Sequence, residues 1–167
     1  SIYLTATGGI IVEAGATPVT VNNATIVTIN AAEAVQMNTP VLRVSGDIEA
    51  ETAVLSGAAE IGGLLNAETV EISANRAVHI SAIGGGTIRV LQKDTATVLG
   101  IFRTSPGCAR IGSIEGDNIE LENVEAEIVR GKYVRIGHGC RIGTVEYGKD
   151  LEAEPGTVRQ STQTGTK

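Results

Sequence analysis

The residue types that usually form metal and nucleophile sites are scarce in this chain of 167 residues, which has two His and two Cys. His138 and Cys140 stand two residues apart, and a strand would project both side chains from one face. Zinc takes three or four protein ligands, and only His79 and Cys108 remain to complete such a set. His138 and Cys140 are therefore the metal-ligand candidates, but we expect no bound metal and no other cofactor.

Two further motifs could support catalysis or phosphate binding. Paired carboxylates for acid–base catalysis could come from four glutamates, Glu49, Glu51, Glu68 and Glu71. Their repeated placement is more typical of solvated charges along an edge, which discourage lateral strand pairing. The glycine run at 84–86 lacks the Lys-Ser/Thr pair of a P-loop, so we expect a corner or loop there. We identify no catalytic residue and predict that the protein is not an enzyme.

The segments that must position these groups are short strands. Apolar residues alternate with polar ones in runs of three to five, bounded by Gly, Asn or Asp, and no capped helical stripe is present. With one Phe and no Trp, the core must be aliphatic. The alternation predicts these inward-facing residues: Ile72, Ile119, Ile128, Val134 and Ile142.

Internal repeats indicate how the strands are arranged. The sequence at 50–54 recurs seventeen residues later at 67–72, and RIGSIE at 110–115 recurs thirty-one residues later as RIGTVE at 141–146. These intervals fit one and two turns of a β-solenoid, whose rungs bury a continuous core only by stacking. We predict an all-β fold, a β-solenoid with glycines at its corners; an antiparallel sandwich or barrel remains the alternative.

Charge and hydropathy limit the partners. The net charge of −6, with scattered Lys and Arg, excludes a nucleic-acid binder, and no apolar run approaches the ~20 residues of a membrane span. The longest apolar run is at 98–102, and it either contacts a membrane or protein partner or folds back over the solenoid. Its contact candidates are Val98, Leu99, Ile101 and Phe102. We expect Cys108 and Cys140 to be free thiols.

Most of the chain, over about residues 46–159, resembles the bactofilin-related, polymer-forming cytoskeletal proteins of Gram-positive bacteria. The motifs occur in matching order: Gly46–Thr52 (GDIEAET), Gly62–Glu68 (GGLLNAE), Ile114–Asp117 (IEGD), Val129–Gly131 (VRG), Ile136–Gly143 (IGHGCRIG) and Val145–Tyr147 (VEY). The resemblance implies a right-handed parallel β-solenoid (β-helix) that associates end to end without nucleotide, in the cytoplasm. It also places His138 and Cys140 on an ordinary turn and strand. It is poorest over 87–113.

The first segment resembles instead the trimeric β-helix of contractile-tail phage spike proteins. The motifs are Tyr3–Ile10 (YLTATGGI), Val27–Ala31 (VTINA) and Met37–Ile48 (MNTPVLRVSGDI). The chain departs from the spikes after 48, because the His-x-His iron motif of their apex does not follow. Either a phage protein has acquired a solenoid tip or two proteins have been joined, and we favour the fusion.

These observations predict three segments. Residues 1–46 form an intertwined trimeric β-helix, residues 47–159 a bactofilin-like solenoid with a loop or hairpin excursion at 84–113, and residues 160–167 a frayed polar tail. The expected role is structural, with the chain itself as partner in a trimer or an end-to-end polymer. The alternative is a mechanical, membrane-piercing spike of a virion tail.

Overall fold

The computed structural model describes residues 2–6, 10–13, 19–21, 27–73, 77–91 and 108–165, and the side chains within these ranges from residue 42 onward. Throughout these residues the regular structure is strand, and none of it is helical. The strands are β1 (Ile2–Ala6), β2 (Ile10–Glu13), β3 (Val19–Val21), β4 (Val27–Val44), β5 (Asp47–Ser73), β6 (Val78–Leu91), β7 (Ala109–Glu122), β8 (Val124–Ile136), β9 (Arg141–Ala153) and β10 (Val158–Gln163).

Every strand pair described is parallel, and from β4 to β10 each strand pairs with the next along the chain. Ala109 of β7 lies opposite Val124 of β8, and Glu125 of β8 lies opposite Arg141 of β9. A strand that pairs in parallel with the chain about one rung later must coil around an axis, since a straight strand would move away from its partner. The fold is therefore the predicted β-solenoid, with about six turns, and the antiparallel alternative is wrong.

Strand β7 shows how one rung closes. Its buried residues fall into three sets, Ala109 with Ile111, Ile114 alone, and Ile119 with Leu121. Since these sets all point to one core, the rung has three sides, which we name A, B and C in that order. The outward residue at the centre of each side is Arg110 on side A, Glu115 on side B and Glu120 on side C.

The inward residues of successive rungs stack into aliphatic columns. One column on side C runs Val70, Ile88, Ile119 and Val134, each at most 3% exposed. Stacking like on like removes both faces of each side chain from water, so the core stays continuous without aromatic residues. Among the described residues the buried hydrophobic side chains are aliphatic apart from Cys140, as the composition predicted, and Tyr147 packs against them from the partly buried shell.

Four of the five predicted inward residues are buried, and Ile128 is wrong. Ile128 is half-buried at the corner between sides A and B, where its neighbours in register are Ser113 and Thr144, whereas Val129 is fully buried. The strict two-residue alternation fails there because the chain turns the corner, which shifts the inward position by one residue.

The strands are longer than the predicted runs, because the chain stays extended and paired around the corners. The expected excursion at 84–113 is therefore narrower: residues 84–91 continue β6, and residues 109–113 pair in register with β6 and β8. The intervening residues 92–107 lie outside the described residues. The terminal segment is also less frayed than expected, since β10 pairs with β9 as far as Gln163.

The N-terminal strands β1, β2 and β3 pair in parallel with β4 of the same chain. They contain five, four and three residues, much shorter than the later strands. This pairing extends the same sheet, while an intertwined trimer over residues 1–46 stays a prediction.

We expect Ile119→Asp to lower the free energy of unfolding by at least about 3 kcal/mol, because it buries an unpaired carboxylate between two apolar rungs. Ile128→Asp is the matched control, since the same change at a half-buried corner leaves the carboxylate in contact with water. Urea unfolding followed by circular dichroism measures both. Equal losses would show that the two positions do not differ in burial as described.

Candidate functional site: charge ladders and an arginine groove

Register stacking also brings the outward side chains of successive rungs together. On side C the column runs Glu71, Arg89, Glu120, Arg135 and Glu152, with charges of alternating sign. Glu120 accepts from Arg89 Nε at 3.0 Å and from Arg135 Nη1 at 3.3 Å. Arg135 Nε in turn lies 3.5 Å from Glu152 Oε2. We name such a column a charge ladder.

Sides A and B carry ladders as well. On side A, Arg43 Nε lies 3.1 Å from Glu60, and Arg110 Nε lies 3.3 Å from Glu125. His79 occupies the rung between these pairs, in register with Glu60 and Arg110. The side B ladder runs Glu115, Arg130 and Glu146, with 2.7 Å between Arg130 Nε and Glu146.

Each ion pair is exposed, so each one alone contributes little to stability. Their order along the ladders matters more, because neighbouring rungs are only ~4.8 Å apart and like charges directly opposite each other are unfavourable. The sequence interpretation missed these ladders. Their signal is opposite charges at the interval of one rung, as at Arg110, Glu125 and Arg141.

A shallow groove of about 630 Å³ opens beside the side A ladder on the last rungs. Three arginines line it, Arg110, Arg141 and Arg159, together with Glu125 and Glu127. We name it the arginine groove. With three guanidinium groups and two carboxylates, its lining is net positive in a chain of net charge −6.

Gly112 and Gly143 line the groove, and the absence of side chains at these two positions leaves it open. A Cβ at Gly112 would lie 2.6 Å from the Ser81 carbonyl oxygen, and one at Gly143 would lie 2.5 Å from that of Glu127. The backbone of the neighbouring rung thus excludes any side chain at these two corner positions. The groove is a consequence of rung packing, and the charged side chains beside it form its walls.

The arginines of the groove are not equally paired. Arg110 has Glu125 as its partner, whereas Arg141 and Arg159 have no carboxylate within 4.0 Å among the described residues. A guanidinium group can bind a carboxylate or a phosphate through two parallel hydrogen bonds. The groove can therefore bind an anionic group without breaking an internal ion pair.

The structure separates the two metal-ligand candidates. Residues 137–140 form a turn, in which His138 is exposed and Cys140 is buried toward the core. His138 Nε2 lies 3.4 Å from the Asn123 side-chain nitrogen, and Cys140 Sγ donates to the Leu121 carbonyl at 3.5 Å. The described residues contain no cluster of three or more His, Cys, Asp or Glu side chains able to hold a metal.

The structure places the glutamates and the glycine run singled out in the sequence, but it does not describe the apolar contact candidates. The four glutamates, Glu49, Glu51, Glu68 and Glu71, are all exposed, and they lie in strand β5. The glycine run at 84–86 lies within strand β6, and a Cβ at Gly86 would meet the Glu68 carboxylate. The contact candidates Val98, Leu99, Ile101 and Phe102 lie outside the described residues. None of the described residues forms a helix long and apolar enough to cross a membrane.

Cys108 and Cys140 are free thiols, as predicted. Burial raises the pKa of the Cys140 thiol to about 11, and burial together with the nearby Glu125 raises the pKa of Cys108. A raised pKa keeps a thiol protonated at neutral pH and lowers its reactivity as a nucleophile.

Two curated proteins of Bacillus subtilis (strain 168) are similar to this chain. YhbF is 39% identical over 94 residues, which are 56% of this chain and 38% of YhbF. YhbE is 38% identical over 111 residues, which are 65% of this chain and 44% of YhbE. Both are described as uncharacterized proteins, and the chain spans less than half the length of each. No protein-family model matches the chain, and no solved structure matches it.

We expect Glu120→Gln to destabilise the protein by about 1 kcal/mol at low salt, because one neutral side chain replaces the carboxylate that two arginines share. Glu127→Gln is the control, since no ion pair of Glu127 is found within 4.0 Å among the described residues. Thermal unfolding at low and high salt measures both variants. A Glu120→Gln loss that is no larger than the Glu127→Gln loss would contradict the ladder.

The Cys140 thiol should make the fold sensitive to alkali. Because its pKa is about 11 in the folded protein against an ordinary 9.0, the unfolded chain ionises first. The free energy of unfolding is therefore unaffected by this group below pH 9.0 and decreases as the pH rises toward about 11. In urea titrations over this pH interval, the free energy of unfolding of Cys140→Ala should decrease less steeply than that of the wild type. Parallel curves would show that Cys140 does not contribute.

Proposed function

We propose that this protein is a non-enzymatic structural protein, a self-associating β-solenoid of the bactofilin-like, polymer-forming kind carried on a trimerising, spike-like leader. The observation that supports it most is the open parallel stack, in which parallel pairing of each strand with the next continues from β4 to β10. Strands of a second copy can continue such a stack by the same backbone hydrogen bonds.

The outward surface supports a mechanical role. The charges described on the three sides are largely engaged in ladders that tie rung to rung along the axis. Such a rod is stiff because each rung is held by backbone pairing, core columns and side-chain pairs together. The one groove described in detail is shallow and combines ion-paired and unpaired charges without a nucleophile beside a base, which favours binding over catalysis.

A trimeric phage tail spike or baseplate component with a membrane-piercing role is the second candidate. The observation that favours it is the contrast between the short strands β1 to β3 and the long strands after them. Strands this short bury little against one neighbour, and winding three copies about one axis would increase that burial. The first role implies a cytoplasmic location, with residues 98–102 as a membrane or protein contact, and the second implies a virion tail.

The two candidates differ in how mass depends on concentration. An open polymer grows as the concentration rises, whereas a closed trimer sediments as one species. We expect light scattering and sedimentation of the full chain to show growth, with filaments in electron micrographs. A constant trimer mass would favour the spike, and a monomer at all concentrations would contradict both.

The same measurement on residues 47–167 tests the proposed leader. We expect this fragment to keep the strand signal in circular dichroism, since β5 to β10 contain their own paired rungs. It should no longer trimerise. If the full chain and the fragment show the same oligomer, residues 1–46 are additional rungs and do not set the oligomeric state.

A further inference from the structure

Two groups of charged side chains, each of one sign, make no ion pair within 4.0 Å among the described residues. The first is Arg141 with Arg159 in the arginine groove. Arg141 follows Glu125 in the side A ladder, but Glu125 is engaged by Arg110 at 3.3 Å. Arg159 lies on the next rung, beside Gly143 at the neighbouring corner. Two exposed guanidinium groups on adjacent rungs thus face solvent at one open groove.

The second group consists of the four glutamates already named, Glu49, Glu51, Glu68 and Glu71, which we name the glutamate edge. Glu71 is also the first residue of the side C ladder, in register with Arg89, but no ion pair joins the two. None of them has a basic group within 4.0 Å among the described residues. Residues seventeen apart are stacked in β5, as the hydrogen bond from Leu64 N to Asp47 Oδ1 shows. By the same interval Glu51 lies against Glu68, and like charges on adjacent rungs repel.

The two groups cannot meet within one copy. In register, Glu68 is followed by the rungs of Gly86, Asp117 and Lys132, and Arg141 lies on the rung after that. At a rung spacing of ~4.8 Å, about 20 Å of rigid stack separates them along the axis. They also lie on different parts of the cross-section, since the glutamate edge runs from side B to side C and the groove lies along side A.

We propose that the arginine groove binds the glutamate edge of a second copy of this chain, so that neighbouring copies lie side by side with a stagger of about five rungs, which brings Glu51 to Arg141 and Glu68 to Arg159. The inference rests on the proposed self-association and specifies one surface for it. Two carboxylates on adjacent rungs of one copy meet two guanidinium groups on adjacent rungs of the next.

The repeat itself makes this match possible. Parallel solenoids share one rung spacing, so charges that are one rung apart on one copy face charges one rung apart on the other. The contact joins two different surfaces of the chain, and a heterologous contact of this kind generates an open assembly when its rotation does not close. It relieves the repulsion between Glu51 and Glu68, which nothing described on their own copy does.

The test uses charge reversal in the full chain. The double variants are Arg141→Glu with Arg159→Glu, and Glu51→Lys with Glu68→Lys. Each should raise the concentration needed for half-maximal association by at least about tenfold, because like charges then face each other across the contact. An equimolar mixture of the two variants should regain association, since the reversed charges are again complementary. Sedimentation velocity measures all three samples.

Lys149→Glu is the matched control. It reverses a base on the same rung as Arg141 but at the corner between sides B and C, outside the groove. It should associate like the wild type. Circular dichroism melting identifies any variant that fails to fold, and Arg141→Gln with Arg159→Gln then replaces it as a milder change that should still weaken association.

Measurements with salt and with lipid vesicles distinguish a second copy of the chain from other anionic partners of the arginine groove. Raising the salt from ~0.1 M to ~1 M shortens the Debye length from about 10 Å to about 3 Å and should weaken wild-type association. Vesicles containing phosphatidylglycerol probe a membrane as the occupant. Vesicle binding that depends on Arg141 and Arg159, with self-association unchanged in the reversed variants, would overturn the assignment to a second copy.

The outcomes also distinguish this inference from the proposed function. If folded charge-reversed variants associate like the wild type, or if folded variants fail to regain association on mixing, the groove contact is wrong while self-association stands. If the wild type is monomeric at every concentration and salt, the proposed self-association fails, and the contact fails with it.

Discussion

In-register parallel stacking is the constraint on which the rest of this structure depends. Each residue lies ~4.8 Å from its equivalent on the next rung, so every side chain must pack beside the side chains at the same position on the neighbouring rungs. For aliphatic side chains this is favourable, and the column of Val70, Ile88, Ile119 and Val134 needs no aromatic residue to exclude water. For charged side chains the same proximity is unfavourable unless the sign alternates, as it does around Glu120.

The fold was predictable because its signals are local and periodic. The repeats of seventeen and thirty-one residues correspond to one rung and two rungs, and Arg110 and Arg141 do lie two rungs apart on either side of Glu125. Alternation failed at Ile128 because a corner shifts the inward position, and no pattern of period two can locate a corner. The excursion was predicted too wide because a glycine run can continue a paired strand, as it does in β6.

The candidate site was less predictable, although part of it was visible in the sequence. The four glutamates were recognised as repeated edge charges, but their lack of basic partners depends on which residues stack beside them. The groove depends on contacts that only the rung spacing creates, such as the approach of Gly143 to the Glu127 carbonyl. His138 and Cys140 show the converse case: a spacing that suits metal ligands on a strand places them on opposite sides of a turn.

Because the inward side chains of a solenoid are fixed by core packing, two solenoids can differ in sequence mainly at their outward-facing columns. An inward substitution must fit between the side chains of two neighbouring rungs. An outward residue has only to avoid a like charge on the rung before it and the rung after it. A ladder that alternates throughout neutralises its own charges and leaves nothing for a partner. Under the proposed self-association, recognition therefore depends on charges without an ion pair, and in the described rungs these include the carboxylates of Glu51 and Glu68 and the guanidinium groups of Arg141 and Arg159.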